Sequence, residues 1–272
     1  MAKNSEEYNT EKRGIESKMK EKIEIIEDWL KESKTDKNVL SISLGSSMRN
    51  SQREIEIART KVGMFRVGCD GNFELARSLL EEFDGDPRIS AFGLGGIDLW
   101  MGKRRYIPKH AISLVKNIKK TPFFDGWGLK DTLERRAIQY LEGVFPLKGK
   151  KALVVSGIDR FGIAEELERS GCRVIYGDIM FTCNLPIPIS SLSLRVLDLM
   201  TGLALKIGKH LPFDSRHYSR FYPLGEEQEK DTPRFKRFFD KVDIVAGDFL
   251  YIKRFNPEDF LLVSFCIMIT YL

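Results

Sequence analysis

Gly157, Asp159 and Gly162 stand in the stretch VVSGIDRFG at residues 154–162, between an apolar run and a segment of helical spacing. In a dinucleotide-binding turn the first glycine turns the chain tightly. The second lets the backbone approach a pyrophosphate, and the third lets the next helix pack closely on the strand. Gly157 takes the first place, Asp159 the second and Gly162 the third. The helix N-terminus there favours an anion. The Asp159 carboxylate opposes one unless it turns away, and Arg160 beside it is placed to offset this by contacting a phosphate. Asp178 follows at the end of the next apolar run, where an acid bonds the ribose hydroxyls of NAD and disfavours the extra phosphate of NADP. The same residues also describe ordinary α/β packing, with glycines turning the chain and Asp159 capping the helix.

The surrounding pattern supplies the elements such a turn needs. KALVVSG, GIAEELERSGC and RVIYGDIMF read as strand, helix and strand. Earlier, VLSISLG and ISAFGLGG read as buried strands, REIEIARTKVGMFRVG as a strand pair, and TPFFDG as a third short strand. FELARSLLEEFDG and PKHAISLVKNIKK read as helices, the second opened by a proline. LKDTLERRAIQYLEGVF reads as one long helix with Leu129, Leu133, Ala137, Ile138 and Leu141 inward. SSLSLRVLDLMTGLALKIGKH and RFKRFFDK read as helices, and VDIVAGDF as a strand. Strands alternating with helices imply an α/β fold with parallel sheets. In residues 1–38, Ile15, Met19, Ile23, Ile26 and Leu30 share one helical face, which suits docking on the body or on a second subunit of a homodimer. The final apolar run, LLVSFCIMITYL, reads either as a last buried strand or as a shortened C-terminus.

Composition sets bounds. The 272 residues carry 44 Lys and Arg against 39 Asp and Glu, a net charge of +5 that tolerates anionic ligands without calling for nucleic acid. Basic residues beside Phe235, Phe238 and Phe239 offer a stacking surface for a single strand, but no recognisable nucleic-acid module accompanies them. Cys69, Cys172, Cys183 and Cys266 form no C-x-x-C pair, and the charged N-terminus lacks an apolar leader, so the expectation is a cytoplasmic protein with reduced thiols. The last apolar run is too short to span a bilayer. His110, His210 and His217 lack ligand spacing, so no metal site is expected.

DGWGLKDTLE at residues 125–134, LKGKKALVV and the glycine turn together resemble the shikimate/quinate dehydrogenase family, in its divergent quinate 5-dehydrogenase-like branch. The matching positions are Asp125, Gly126, Gly128, Leu129, Leu133 and Glu134, then Leu147, Gly149 and Lys150. The resemblance implies an N-terminal α/β substrate domain and a C-terminal Rossmann-like domain, with the active site between them. The expected boundaries are a helical extension at 1–38, a substrate-binding domain at 39–128, a linking helix at 129–145 and a nucleotide-binding domain at 146–272. It implies an NAD-dependent dehydrogenase acting on a small polyol carboxylate. Asp125 would grip the substrate hydroxyl. The family's lysine motif is absent, and Lys103 is the nearest candidate for the proton relay. Arg104, or the pair Ser41 and Ser43 with Ser46 and Ser47, would hold the carboxylate. A non-catalytic sensor for a carboxylate or nucleotide on the same fold is the alternative, favoured by the missing lysine motif and by Asp159.

Overall fold

The computed structural model describes residues 2–190, 194–208, 232–257 and 265–269. These form two compact units. The first holds the described residues up to Ile97 with His110–Asp125, and the second holds Asp98–Lys109 with the described residues from Gly126 onward.

The first unit is built on a five-stranded sheet in the order β2-β3-β1-β4-β5. Its strands are β1 (Lys37–Ser43), β2 (Ser51–Ile57), β3 (Thr60–Gly68), β4 (Ala91–Gly95) and β5 (Phe123–Phe124). β1 runs parallel to β3 and β4, whereas β2 folds back antiparallel on β3. That hairpin turns at Ala58 and Arg59, both with positive φ (49° and 68°), the two-residue geometry that matches the right-handed twist of paired strands. One sheet face is apolar, with Leu40, Ile42, Phe65, Val67, Phe92 and Leu94 buried. Helices α1 (Ala2–Glu32) and α2 (Phe73–Glu82) pack with the sheet and with each other. Trp29 of α1 stacks on Phe65 with ring centroids 5.1 Å apart, and Ile26 and Leu30 are buried beside it. The α1 face expected from the spacing is therefore the face turned inward. Helix α3 (Lys109–Val115) precedes β5.

The second unit holds four parallel strands in the order β7-β6-β8-β9. They are β6 (Lys151–Val154), β7 (Arg173–Tyr176), β8 (Ile244–Asp248) and β9 (Phe265–Ile269). The chain leaves β6 in one direction to reach β7 and crosses back over β6 to reach β8. The order therefore reverses between β6 and β8, and open α/β sheets bind ligands outside the carboxyl ends of strands at such a switch point. The apolar run near the C-terminus supplies β9, paired with β8 over five residues. The helices are α4 (Trp127–Asp131), α5 (Leu133–Val144), α6 (Phe161–Arg169), α7 (Asp178–Cys183), α8 (Leu194–Gly208), α9 (Lys236–Phe239) and α10 (Phe249–Phe255). The chain is thus a two-domain, Rossmann-like α/β fold. Among the described residues no helix is long and apolar enough to cross a membrane.

One expectation needs correcting. The long helix expected from residue 129 is two helices, broken at Thr132 (φ −123°, ψ −71°). Leu129 and Leu133 are 41% and 50% exposed, and the buried face of α5 is Glu134, Ile138 and Leu141. A fully buried carboxylate sets the phase of this helix, and counting apolar residues cannot anticipate that.

Candidate functional site at the switch point

The turn between β6 and α6 is shaped by its neighbours. A side chain at Gly157 would strike the ring of Tyr176, which is fully buried in β7. A side chain at Gly162 would strike the backbone carbonyl of Lys130, because α6 lies tightly against α4. At the end of β8, Gly247 (φ 130°) leaves room for Val155. The two turn glycines are therefore needed for packing, whatever the turn binds.

Asp178, the first residue of α7, reaches back to the turn. Its carboxylate accepts the N–H of Gly157 at 3.0 Å and the N–H of Ile158 at 2.9 Å. Two successive backbone amides converging on one anion form a nest. Burial raises the Asp178 carboxyl to about 6 and outweighs the two amide bonds that lower it, while the charge of Asp159 pushes the same way as burial.

Asp159 and Arg160 belong to a chain of charges. Asp159 accepts a short hydrogen bond from the Lys130 amine and pairs with Arg160 Nε at 3.0 Å. Lys130 also donates to Asp98 at 2.7 Å. Arg160 donates to Glu134 at 2.8 Å and to Asp248 at 2.5 Å, which joins the carboxyl ends of β6 and β8. Lys130, Glu134, Arg160 and Asp248 are all buried. Burial would lower the Lys130 amine, but Asp159 and Asp98 outweigh it and hold the amine above its usual value. Arg160 is raised by its carboxylates in the same way. Burial also pushes Asp159 upward, but Lys130 and Arg160 prevail and bring it down. At Asp98 burial prevails over Lys130, and the carboxyl is raised.

Of the residues expected to hold a cofactor, the structure brings together Gly157, Asp159, Arg160, Gly162 and Asp178. The Asp159 carboxylate is turned onto two cations, the condition under which it does not repel a phosphate. The guanidinium of Arg160 is buried and engaged by three carboxylates, which removes it from the groups a phosphate could meet.

The other expected residues lie elsewhere. Asp125 ends the first unit, directly after β5. Lys103 belongs to the second unit, where its half-exposed amine pairs with Glu165 at 2.6 Å. Arg104 pairs with the buried Asp198 at 3.3 Å, and Arg105 lies over the Trp127 ring at 4.1 Å. In the first unit, Ser43 Oγ accepts from the Gly45 N–H at 3.0 Å and from Arg66 at 2.9 Å. Ser46 Oγ accepts from the Met48 N–H, and Arg66 also donates to the Ser46 carbonyl. The Ser47 N–H donates to Asp70 at 2.6 Å. Ser41 lies in register with Arg66 on one side and Gly93 on the other. Burial, and then the charge of Arg49, lower the Arg66 guanidinium. Among the described residues no group of three or more His, Cys, Asp or Glu side chains is arranged to hold a metal ion.

Sequence reasoning missed Asp98, Lys130, Asp248 and Arg66. Two of them carried a signal: Asp98 follows a parallel strand at its carboxyl end, and Lys130 lies inside the DGWGLKDTLE stretch.

Comparison with known proteins adds a boundary. The model of a domain of unknown function, DUF8753, matches residues 38–125, and that of another, DUF8754, matches residues 128–261. The gap between them coincides with the passage from the first unit to the second. No curated protein matches. Among solved structures, a glutamate dehydrogenase is 11% identical with a TM-score of 0.36, over 88% of this chain and 59% of that one. The FolD methylenetetrahydrofolate dehydrogenase/cyclohydrolase from Campylobacter jejuni is 13% identical with a TM-score of 0.26, over 59% of this chain and 62% of its own. The FolD enzyme of Trypanosoma brucei, complexed with NADP, is 12% identical with a TM-score of 0.27, over 64% of each chain. This chain thus spans about three fifths of the length of the solved chains it matches. Likeness this slight carries no weight for function.

Proposed function

We propose that the protein is a nicotinamide-dinucleotide-dependent oxidoreductase of the quinate/shikimate type. In this reading the second unit binds NAD and the first unit holds a small polyol carboxylate. The observation that carries it is the seating of Asp178 on the Gly157 and Ile158 amides at the β6–β8 switch point. A turn that directs two amides at a carboxylate is able to direct them at a phosphate. The acid also stands at the end of β7, where ribose hydroxyls are bound. On cofactor binding, Asp178 would exchange the two amide donors for ribose hydroxyl donors, and the freed amides would meet the pyrophosphate. A bound nicotinamide would accept a hydride from the substrate's carbinol carbon. Ser43, Ser46 and Arg66 in the first unit are the groups suited to a carboxylate, with Asp125 for a hydroxyl.

Calorimetric titration with NAD, NADH and their phosphorylated forms tests the cofactor, and the expected result is tighter binding of the NAD forms. Reduction of NAD in the presence of quinate or shikimate tests the reaction. If neither cofactor binds at millimolar concentration, the proposal fails. A second reading, a non-catalytic sensor, is favoured by the engagement of Arg160 and of the turn amides within the chain itself. Cofactor or carboxylate binding without turnover would select it.

A further inference from the structure

We propose that Arg66 anchors a small-molecule monocarboxylate at the carboxyl end of the first unit's sheet, with the Ser43 hydroxyl as the second donor. The proposal deepens the substrate half of the oxidoreductase reading and rests on it for the kind of ligand, but every group it uses lies in the first unit. β1, β3 and β4 run parallel and end level with one another, at Ser43, Gly68 and Gly95. The chain leaves β1 on one side to reach β3 and crosses back past β1 to reach β4, so the order reverses between β1 and β4. Ligands of open α/β sheets lie beyond the strand ends at such a reversal.

The loops beyond these ends are tied down. Cys69, Asp70 and Gly71 donate their N–H groups to the carbonyls of Ser43, Gly45 and Leu44 at 2.7, 3.1 and 2.8 Å, and Leu44 donates to the Gly95 carbonyl at 2.8 Å. A side chain at Gly68 would strike the Ser46 carbonyl, and one at Gly95 would strike Ser43 Oγ. Arg66 stands on the sheet face opposite its β3 neighbours Phe65 and Val67. It gives one N–H to Ser43 Oγ and one to the Ser46 carbonyl, so three of its five N–H donors engage no described residue. Ser43 Oγ accepts from Arg66 and from the Gly45 N–H. Its own proton meets no acceptor among the described residues, although Ser43 is only 3% exposed. A buried donor without an acceptor is costly, and a ligand oxygen would relieve it.

The charge on Arg66 lacks a counter-ion. Both oxygens it meets are neutral, and no described carboxylate pairs with it. Arg135 and Arg160, also withdrawn from solvent, each meet three carboxylates. Arg49 stands close to Arg66, because Ser51, two residues on, is the partner of Arg66 across β2 and β3. Burial first, and then the charge of Arg49, disfavour the Arg66 cation. Asp70 attracts it only from beyond pairing distance, and its Oδ1 is engaged by the Ser47 N–H. A half-buried guanidinium so placed is stabilised by one negative charge brought from outside. The planar fork of the guanidinium matches the two oxygens of a carboxylate, and Ser43 adds a neutral donor beside it.

The test is calorimetry on the full-length protein without cofactor, using quinate, shikimate and lactate as carboxylate probes and inorganic phosphate as the competing anion. At least one carboxylate should bind the parent at millimolar concentration or below, and more tightly than phosphate. Arg66→Met should weaken that binding on the order of 10- to 100-fold, the scale of hydrogen bonds to a charged group, and Ser43→Ala about three- to tenfold. Arg66→Lys keeps the charge, loses the fork and should fall between the parent and Arg66→Met. The inference is overturned if no carboxylate probe binds, if phosphate binds more tightly than all of them, or if Arg66→Met binds within twofold of the parent. Should Arg66→Met fail to fold, parental affinity in Arg66→Lys overturns it instead. Carboxylate binding by a parent that takes up no NAD sinks the oxidoreductase reading and leaves the Arg66 site standing. NAD binding with carboxylate affinity unmoved by Arg66→Met sinks the Arg66 site alone.

Discussion

Replacing Asp178 by asparagine removes a charge that the fold holds unfavourably. Burial raises this carboxyl to about 6, against an ordinary value of 3.8. The difference is about two pH units, and each is worth about 1.4 kcal/mol, which gives ~3 kcal/mol. Asp178 is half-buried, so solvent screening reduces the figure to ~1.5–3 kcal/mol. The folded carboxyl value lies above the unfolded one. Between about pH 4 and about pH 6 the folded chain therefore keeps a proton that the unfolded chain has lost, and stability falls as pH rises through that window. Above it the penalty is constant. Asp178→Asn should accordingly be more stable than the parent at neutral pH by that amount, and the two should converge near pH 4. Urea unfolding midpoints measured across this range read the effect directly. The same variant should bind NAD about tenfold or more weakly, because the ribose loses an ionised acceptor. Stability gained at the expense of affinity is the mark of a group kept for its ligand. Parallel stability–pH curves for the two proteins, or a variant less stable than the parent at neutral pH, would refute the reasoning.

Arg160→Met should cost ~3–5 kcal/mol in urea unfolding, because it leaves Glu134 and Asp248 charged and buried without their guanidinium. Gly162→Ala should cost ~1–3 kcal/mol through collision with the Lys130 carbonyl. Gly143→Ala in α5, where nothing lies within 4 Å of the added carbon, should gain ~0.5–1 kcal/mol; thermal melts of the pair separate close packing from loss of chain freedom. In the first unit, Asp84 accepts the N–H groups of Lys119, Lys120 and Thr121. Burial raises its carboxyl, but these bonds prevail and bring it below the ordinary value. Asp84→Ala should therefore cost ~1–3 kcal/mol at neutral pH. The gap should close as pH falls through the depressed folded value, which unfolding curves at several pH values would show.

The parts of the fold that were legible in the sequence are those where one local rule decides the outcome. Alternating apolar runs and helical spacings gave the order β6, α6, β7, because a buried parallel strand and an amphipathic helix have different periods. The glycine turn was legible for the same reason, although its glycines answer to Tyr176 and the Lys130 carbonyl as much as to any ligand. Asp178 was found because its distance from the turn is fixed by one helix and one strand.

The charge network was not legible, and the physical reason lies in its range. Arg160 meets Asp248 across 88 residues, and Lys130 meets Asp98 across 32. No periodicity records which distant carboxylate a buried cation will find. A lysine in a short polar stretch reads as solvated until the fold encloses it. Glu134 shows the consequence for local structure. Its carboxylate is drawn inward to Arg160, which turns α5 so that Leu133 faces outward, against its hydrophobic pattern. A sequence departs from its own periodicity where a long-range polar contact outweighs the burial of one leucine. Here the departure falls beside the switch point, where Arg160 joins Glu134 to Asp248. The mismatch between pattern and burial in α5 therefore points to the site independently of the glycine turn.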